Sequence, residues 1–451
     1  VSRLRTSAAL AVAALTLVAA ACTGDGISIE FGSPTEPGSS RSDGPESSPN
    51  ASVGITLDVK PVETDEARAA AAMADLCVAP TPTPTDDDGA PAEVPADVTE
   101  VESQVEQVRQ LEFLEPVAVQ PVSADEIAAK LEEAFDETYP KEFYDRRTVA
   151  WQTVGVMPRD VTIRDALLAF QTGQVIGFYN PVDGELVYRA DGDLGLFERV
   201  TLAHELTHAI DDQHFDLSRI DRIAAECRDE ALQATLGAVE GSAQFFSTRL
   251  LFEFPPQDGD FSGLGDGGGL PEGVPPFMVD LQLWPYTAGQ AFVSDLEARG
   301  GIPEIDDALR RFPATTEQIL HPDRFPSDTP SRVDVPDLTE ELGPRWGDLD
   351  VMQVGEAWLA AMLSLRLDDS VADAAAAGWD GGVYRAFTDG RDALVAFDTA
   401  WDSQADADAF EQALREWFDS GDTIGAVGPG AERHVTFAMA TDERLVVSTN
   451  A

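Results

Sequence analysis

Five consecutive residues, His204-Glu205-Leu206-Thr207-His208, constrain this 451-residue chain more than any other feature. On an α-helix, residues four apart differ by about 40° of rotation, so both imidazoles leave one face and can share one metal ion. Glu205 lies about 100° round from His204, beside such a metal rather than bound to it. There it can take a proton from a water on the metal. Leu196, Val200, Ala203, Leu206 and Ile210 give the segment an apolar side, so a helix is expected from about Leu196 to Asp212.

A catalytic zinc needs three protein ligands and an open position, and two residues compete to be the third. Glu240 stands 32 residues past His208, in Glu240-Gly241-Ser242-Ala243, on a long helix expected from Arg228 to Phe252. Leu232, Leu236, Val239, Ala243, Phe246 and Leu250 form that helix's core-facing stripe. Glu240 borders the stripe, and Gly237 and Gly241 beside it permit a close backbone approach. The rival is His214, ten residues past His204. An unbroken helix would turn its ring far from the other two, so His214 needs a sharp turn before it, where Asp211 replaces the usual glycine. Glu240 is the favoured ligand.

These residues resemble known zinc peptidases. The stretch His204 to Asp212 (HELTHAIDD) is similar to the active-site helix of thermolysin-like peptidases, and Glu240-Gly-Ser-Ala to the third-ligand motif of gluzincins of clan MA. A longer likeness, over roughly residues 115–420, is to a family of secreted bacterial metallopeptidase lipoproteins. It rests on HELTHAIDDQHFDL, PYTAG (Pro285 to Gly289) and TTEQILHP (Thr315 to Pro322). The resemblance implies a zincin fold with His204, His208 and Glu240 as zinc ligands and Glu205 as general base. Two departures stand out. The gap between His208 and Glu240 is long for a gluzincin, which implies an insertion looping out around Leu217 to Cys227. Gln244 stands where thermolysin-like enzymes have an aspartate that orients a ligand histidine, and an amide raises ligand basicity less than a carboxylate.

An oxyanion forming at such a centre calls for a second donor from another lobe. Tyr286 and His321 are the candidates, each weighed against a plain structural role as a buried tyrosine or a turn-capping histidine. Asp212 reads equally as a partner to a ligand or as an exposed helix-end carboxylate, and His434 lies in an expected strand far from the motif.

The N-terminal residues concern destination. Arg3 and Arg5 precede an apolar run, Ala8 to Ala21, that stops at Cys22. The run is short for a membrane span and suits a signal-peptide core. Ala19-Ala20-Ala21 before the cysteine resembles a bacterial lipoprotein signal, which implies cleavage before Cys22 and lipidation of its thiol. Residues 1–21 are thus expected to be a signal, 22–54 a Gly/Ser/Pro-rich tether and 55–112 a helical segment with a Pro/Asp linker, Thr81 to Pro95. The helices there run from Thr64 to Cys77 and from Val98 to Leu111. Residues 113–254 form the expected catalytic lobe, 255–276 a loop with seven glycines, and 277–451 a C-terminal lobe. Three cysteines are too few for a disulfide framework, and with Cys22 lipidated the even pair Cys77 and Cys227 is expected to be joined.

The lobes read as α+β. A strand is expected at Pro116 to Pro121, a capping-box helix from Ser123 to about Thr138, and a hairpin of Gln174 to Tyr179 with Glu185 to Arg189. The hairpin precedes the metal helix, as does the edge strand on which zincins lay out a peptide. The C-terminal lobe is expected to be mostly helical, ending in short antiparallel strands near Ala393 to Phe397, His434 to Ala438 and Leu445 to Ser448. With 43% hydrophobic residues the chain can bury real cores. Its net charge of −52 argues against nucleic acid as a partner and against docking on anionic lipid by charge. The expected molecule is a zinc metallopeptidase outside the cytoplasm, lipid-anchored or secreted, acting on a peptide or protein. The alternative is a catalytically silent cell-envelope protein that keeps the scaffold for binding.

Overall fold

The computed structural model describes residues 96–445 together with Val12 and Ala13, leaving out residues 124, 131, 133–138, 175–176, 182–183, 190–194, 257–260, 262–272 and 429–430. Cys22, Cys77, the tether and the helix expected from Thr64 to Cys77 lie outside the described residues, as does most of the glycine loop.

Strand β1 is the pair Val12–Ala13, and helix α1 runs Ala96–Arg109. Val98, Val101, Val105 and Val108 recur at helical spacing in α1 and are all buried. After β2 (Ala118–Val122), Ser123 and Glu126 exchange the hydrogen bonds of a capping box, and residues 125–130 are helical. Helices α2 (Lys141–Val154) and α3 (Ile163–Gln174) lead to the hairpin β3 (Gly177–Asn180) and β4 (Glu185–Arg189). Gln174 ends α3, so β3 begins later than its apolar run suggests. Helix α4 (Leu196–Phe215) follows, then α5 (Arg219–Ala225) and α6 (Asp229–Glu253). The segment expected to loop out around Leu217 to Cys227 is therefore largely helical.

Beyond the glycines come α7 (Pro276–Gly300), α8 (Ile302–Arg311), α9 (Thr316–Leu320) and α10 (Thr339–Leu342). Strand β5 (Gly347–Gln353), α11 (Glu356–Ser364), α12 (Asp369–Ala376), β6 (Trp379–Thr388), β7 (Ala393–Trp401), α13 (Gln404–Asp419), β8 (Ile424–Val427) and β9 (His434–Ala440) complete the order. The fold is α+β. The C-terminal lobe holds a full antiparallel sheet in the order β5-β6-β7-β9-β8, more strand than the sequence pattern conveys. Leu445 closes a 3-10 turn, Glu443–Leu445, where a strand was expected to start.

The first sheet has the order β1-β3-β4-β2, with β2 parallel to β4 and β3 antiparallel to β4. Its edge beyond β3 is taken by β1, antiparallel, with Val12 opposite Tyr179 and Ala13 opposite Phe178. Two main cores form. One gathers α1, this sheet, α4, α6 and the later turns of α7 around Leu206, Phe246 and Phe292. The other gathers α2, the second sheet and α11 to α13 around Trp358, Phe397 and Trp417, and takes Phe277 and Met278 from the start of α7. Helix α7 therefore belongs to both. Among the described residues, no helix is long and apolar enough to cross a membrane.

Candidate metal centre

Helix α4 is buried on every side from Val200 to Asp211, because α1, α6 and the hairpin β3–β4 all pack on it. Its ligand face meets α6, whose residues 237–244 are likewise all buried. There His204 Nε2 lies 3.1 Å from Glu240 Oε2 and 3.1 Å from His208 Nε2, and His208 Nε2 lies 3.4 Å from the same carboxylate oxygen. Ligand atoms about 2.1 Å from a tetrahedral zinc stand about 3.3–3.4 Å apart, so these three fit one face of such a site. Among the described residues this is the one group of three His, Cys, Asp or Glu side chains placed to hold an ion.

Charge at the centre follows from burial and contact. Burial pushes the Glu240 carboxyl up, but the two imidazoles outweigh it and hold it at about 2. Burial lowers His204, whereas at His208 the same burial is overcome by Glu240 and the imidazole is raised. Glu205 is fully buried, and burial lifts its carboxyl to about 8 against the opposing pull of His208. Gly177 of β3 faces it, since a Cβ there would lie 3.5 Å from Glu205 Cγ. The base candidate thus packs against β3. Neither Nδ1 of the two histidines has a hydrogen-bond partner among the described residues, where metal-ligating histidines ordinarily donate to one.

Tyr286 arrives from α7, its ring stacked on His204 with centroids 6.1 Å apart. The helix crossing that brings it is glycine on glycine. A Cβ on Gly289 would lie 2.0 Å from the Gly237 carbonyl oxygen, and one on Gly241 would lie 2.3 Å from the Gly289 backbone. Pro285 inside α7 leaves the Leu281 carbonyl without its usual N–H, and Gln233 of α6 donates to it at 3.3 Å. Backbone contact and side-chain bond together fix α7 on α6.

His321, the other expected donor, caps α9 and bonds Glu356 Oε1 at 2.9 Å, so its contacts run to that carboxylate rather than to the triad. His214 is excluded as a ligand: α4 continues unbroken through it, and its Nε2 bonds the Glu112 carbonyl at 2.8 Å. Asp212 takes neither role weighed for it. It accepts from the Tyr179 hydroxyl at 2.8 Å and the Leu217 N–H at 2.7 Å, tying β3 to the end of α4.

Sequence reasoning missed Asp211, Ser242 and Arg109. Buried Asp211 accepts from Ser242 Oγ at 2.7 Å and from Arg109 Nε at 2.6 Å, and Arg109 also reaches Asp306 at 2.8 Å. The bond to Ser242 joins the two helices that carry the triad, two residues past Glu240. The signal was available: Asp211 stands seven residues past His204, on the ligand face of a buried helix.

Residues 342–450 match the model of a family described as a domain of unknown function (DUF8575). That span takes in the second sheet and α11 to α13 and leaves out the triad. No curated protein and no solved structure matches the chain.

Proposed function

We propose that the protein is a zincin-type zinc metallopeptidase working outside the cytoplasm on a peptide or protein, anchored through lipid on Cys22 or secreted. The observation that carries this reading is the convergence of His204 Nε2, His208 Nε2 and Glu240 Oε2 within 3.1–3.4 Å at a buried point. Zinc held there supplies a Lewis acid that polarises the scissile carbonyl and makes water more acidic. The chain's own groups do the rest. Glu205, ionised once a cation's charge stands beside it, takes a proton from the attacking water and passes it to the leaving amine. Tyr286, stacked on His204, offers its hydroxyl to the developing oxyanion. Removal of the proposed signal, residues 1–21, leaves β3 as the edge that positions the substrate, and its pairing with Val12–Ala13 supports a capacity to accept an extended antiparallel segment. No catalytic role falls to His321.

The silent-scaffold reading draws on the two unpartnered Nδ1 atoms and on Gln244, since both mark a weaker surround than catalytic zinc usually has. Metal analysis with peptide cleavage separates the readings. Wild type should hold about one zinc per chain. Glu240→Ala should lose it and His214→Ala keep it. Glu205→Gln should retain zinc and melting temperature while hydrolysis falls by about 10²–10⁴-fold. Zinc-loaded wild type that cleaves nothing in a broad peptide library would establish the scaffold instead.

A further inference from the structure

A cavity of about 510 Å³ opens where the start of α6 meets the second sheet and the segment 330–335. Its wall includes Arg228, Arg332, Gln353, Trp379, Val333 and Val383. Arg228 is twelve residues before Glu240 on or just before the same helix, so the cavity lies about 18 Å along the axis from the triad. It is a separate place in the fold.

Three side chains on this wall can only donate, those of Arg228, Arg332 and Trp379. Arg228 meets Glu226 only at 3.8 Å, with both side chains about half exposed, a loose and screened pair. The Trp379 side chain is buried, yet its indole N–H has no partner among the described residues. Indole N–H can only donate, and a buried donor left alone calls for an acceptor from elsewhere. Gly382 keeps the space beside it clear, because a Cβ there would lie 2.9 Å from Trp379 Nε1. Glu230 is the acid on the wall, but its Oε1 already accepts from Thr316 N–H at 2.6 Å and Thr316 Oγ1 at 2.8 Å. The opposite side is pinned: Ser331 donates from N–H at 2.9 Å and from Oγ at 2.6 Å to Asp380 at the start of β6. Valine and alanine side chains line the remainder.

We propose that this cavity binds a small monocarboxylic acid with an apolar body, the carboxylate received by Arg228, Arg332 and the Trp379 N–H and the body lying against Val333 and Val383. Guanidinium groups match a carboxylate's planar fork, and the volume falls in the usual range for small-ligand sites. A phosphate would use the donors and leave the apolar wall without a partner. The site does not depend on the metal.

Calorimetric titration of the full-length protein with N-acetyl-L-valine tests this, with N-acetyl-L-valinamide and inorganic phosphate as comparators. Saturable one-site binding of the acid is expected, at least tenfold tighter than the amide, unchanged by chelator. The double variant Arg228→Gln/Arg332→Gln, altered only at the surface, should keep its melting temperature and lose at least tenfold in affinity. Val383→Trp, which fills the cavity, should abolish binding. Equal affinity for acid and amide, binding unaffected in the double variant, phosphate displacing the acid at equal concentration, or no binding at all would each overturn the proposal.

Discussion

Buried carboxyls decide most of the chemistry at the scale of single residues, and they do not behave alike. Glu240 is held low by two imidazoles, whereas Glu205 and Glu230 have been lifted by burial, to about 8 and about 7. For Glu230, burial is the largest cause; the Thr316 bonds oppose it and the charges of Glu356 and Asp229 reinforce it. The sign of the consequence follows from linkage. A folded carboxyl titrating above its ordinary value of 4.5 keeps its proton after the unfolded chain has released its own. Its stabilising effect is complete below about pH 4.5 and is lost as pH rises to about 7, by about 3 kcal/mol at most. Glu230→Gln retains an oxygen for Thr316 and cannot ionise. Urea denaturation should find it close to wild type at pH 5 and more stable at pH 8, by up to about 3 kcal/mol. An equal loss at both pH values would mean that burial does not hold Glu230 protonated. The residues of the candidate metal site were the most legible part of the sequence, since helical spacing alone places His204, Glu205 and His208 together. Tyr286 could be named but not placed without knowing where α7 crosses α6. The contact of His321 could not be read, because nothing local reveals Glu356, 35 residues on, as its partner.

At the scale of elements, the crossing of α6 and α7 sets the site. Gly289 makes backbone contact there, so the smallest side chain must push the helices apart and carry Tyr286 away from His204. Gly289→Ala should destabilise by about 2–3 kcal/mol, as overpacking of a rigid contact does. Gly347→Ala, with open space around its Cβ position, should change stability by no more than about 0.5 kcal/mol. Denaturation midpoints of the two variants compare these directly; equal midpoints would refute close packing as the reason for glycine at 289. The helices were legible from their apolar periods, α1 through its valines and α4 and α6 through their stripes. Three strands of the second sheet were not. Strand β6 carries Gly381 and Gly382 in its interior, β5 opens with Gly347-Asp348, and β8 has only four residues. Even β7 lacks alternation, being buried at all nine positions because helices or loops cover both faces. A period-two pattern marks only half-covered strands, so such a sheet escapes it.

Over the whole molecule, the two cores are joined by shared structure rather than by a linker. Helix α7 feeds both, and buried Arg147 of α2 pairs with Asp229 at the start of α6 and Asp350 of β5, at 2.8 and 3.0 Å. A chain carrying −52 charges repels itself, and such ties resist that repulsion. Cys227, between α5 and α6, is disulfide-bonded, and the other cysteines of the sequence are Cys22 and Cys77, both outside the described residues. The alternatives carry opposite meanings. A bond to Cys77 leaves the Cys22 thiol for lipid, whereas a bond to Cys22 consumes it and removes the proposed anchor. Non-reducing peptide mapping should find Cys77 joined to Cys227, closing a span of 150 residues from one sulfur-bearing position to the other. The chain-entropy model gives about 4–5 kcal/mol for a loop of that order. Reduction should then lower the melting temperature by up to ~10 °C. Membrane attachment should be lost in Cys22→Ser while the Cys227 bond persists. Recovery of a Cys22–Cys227 peptide would sink the lipid anchor and leave secretion as the route outside the cytoplasm.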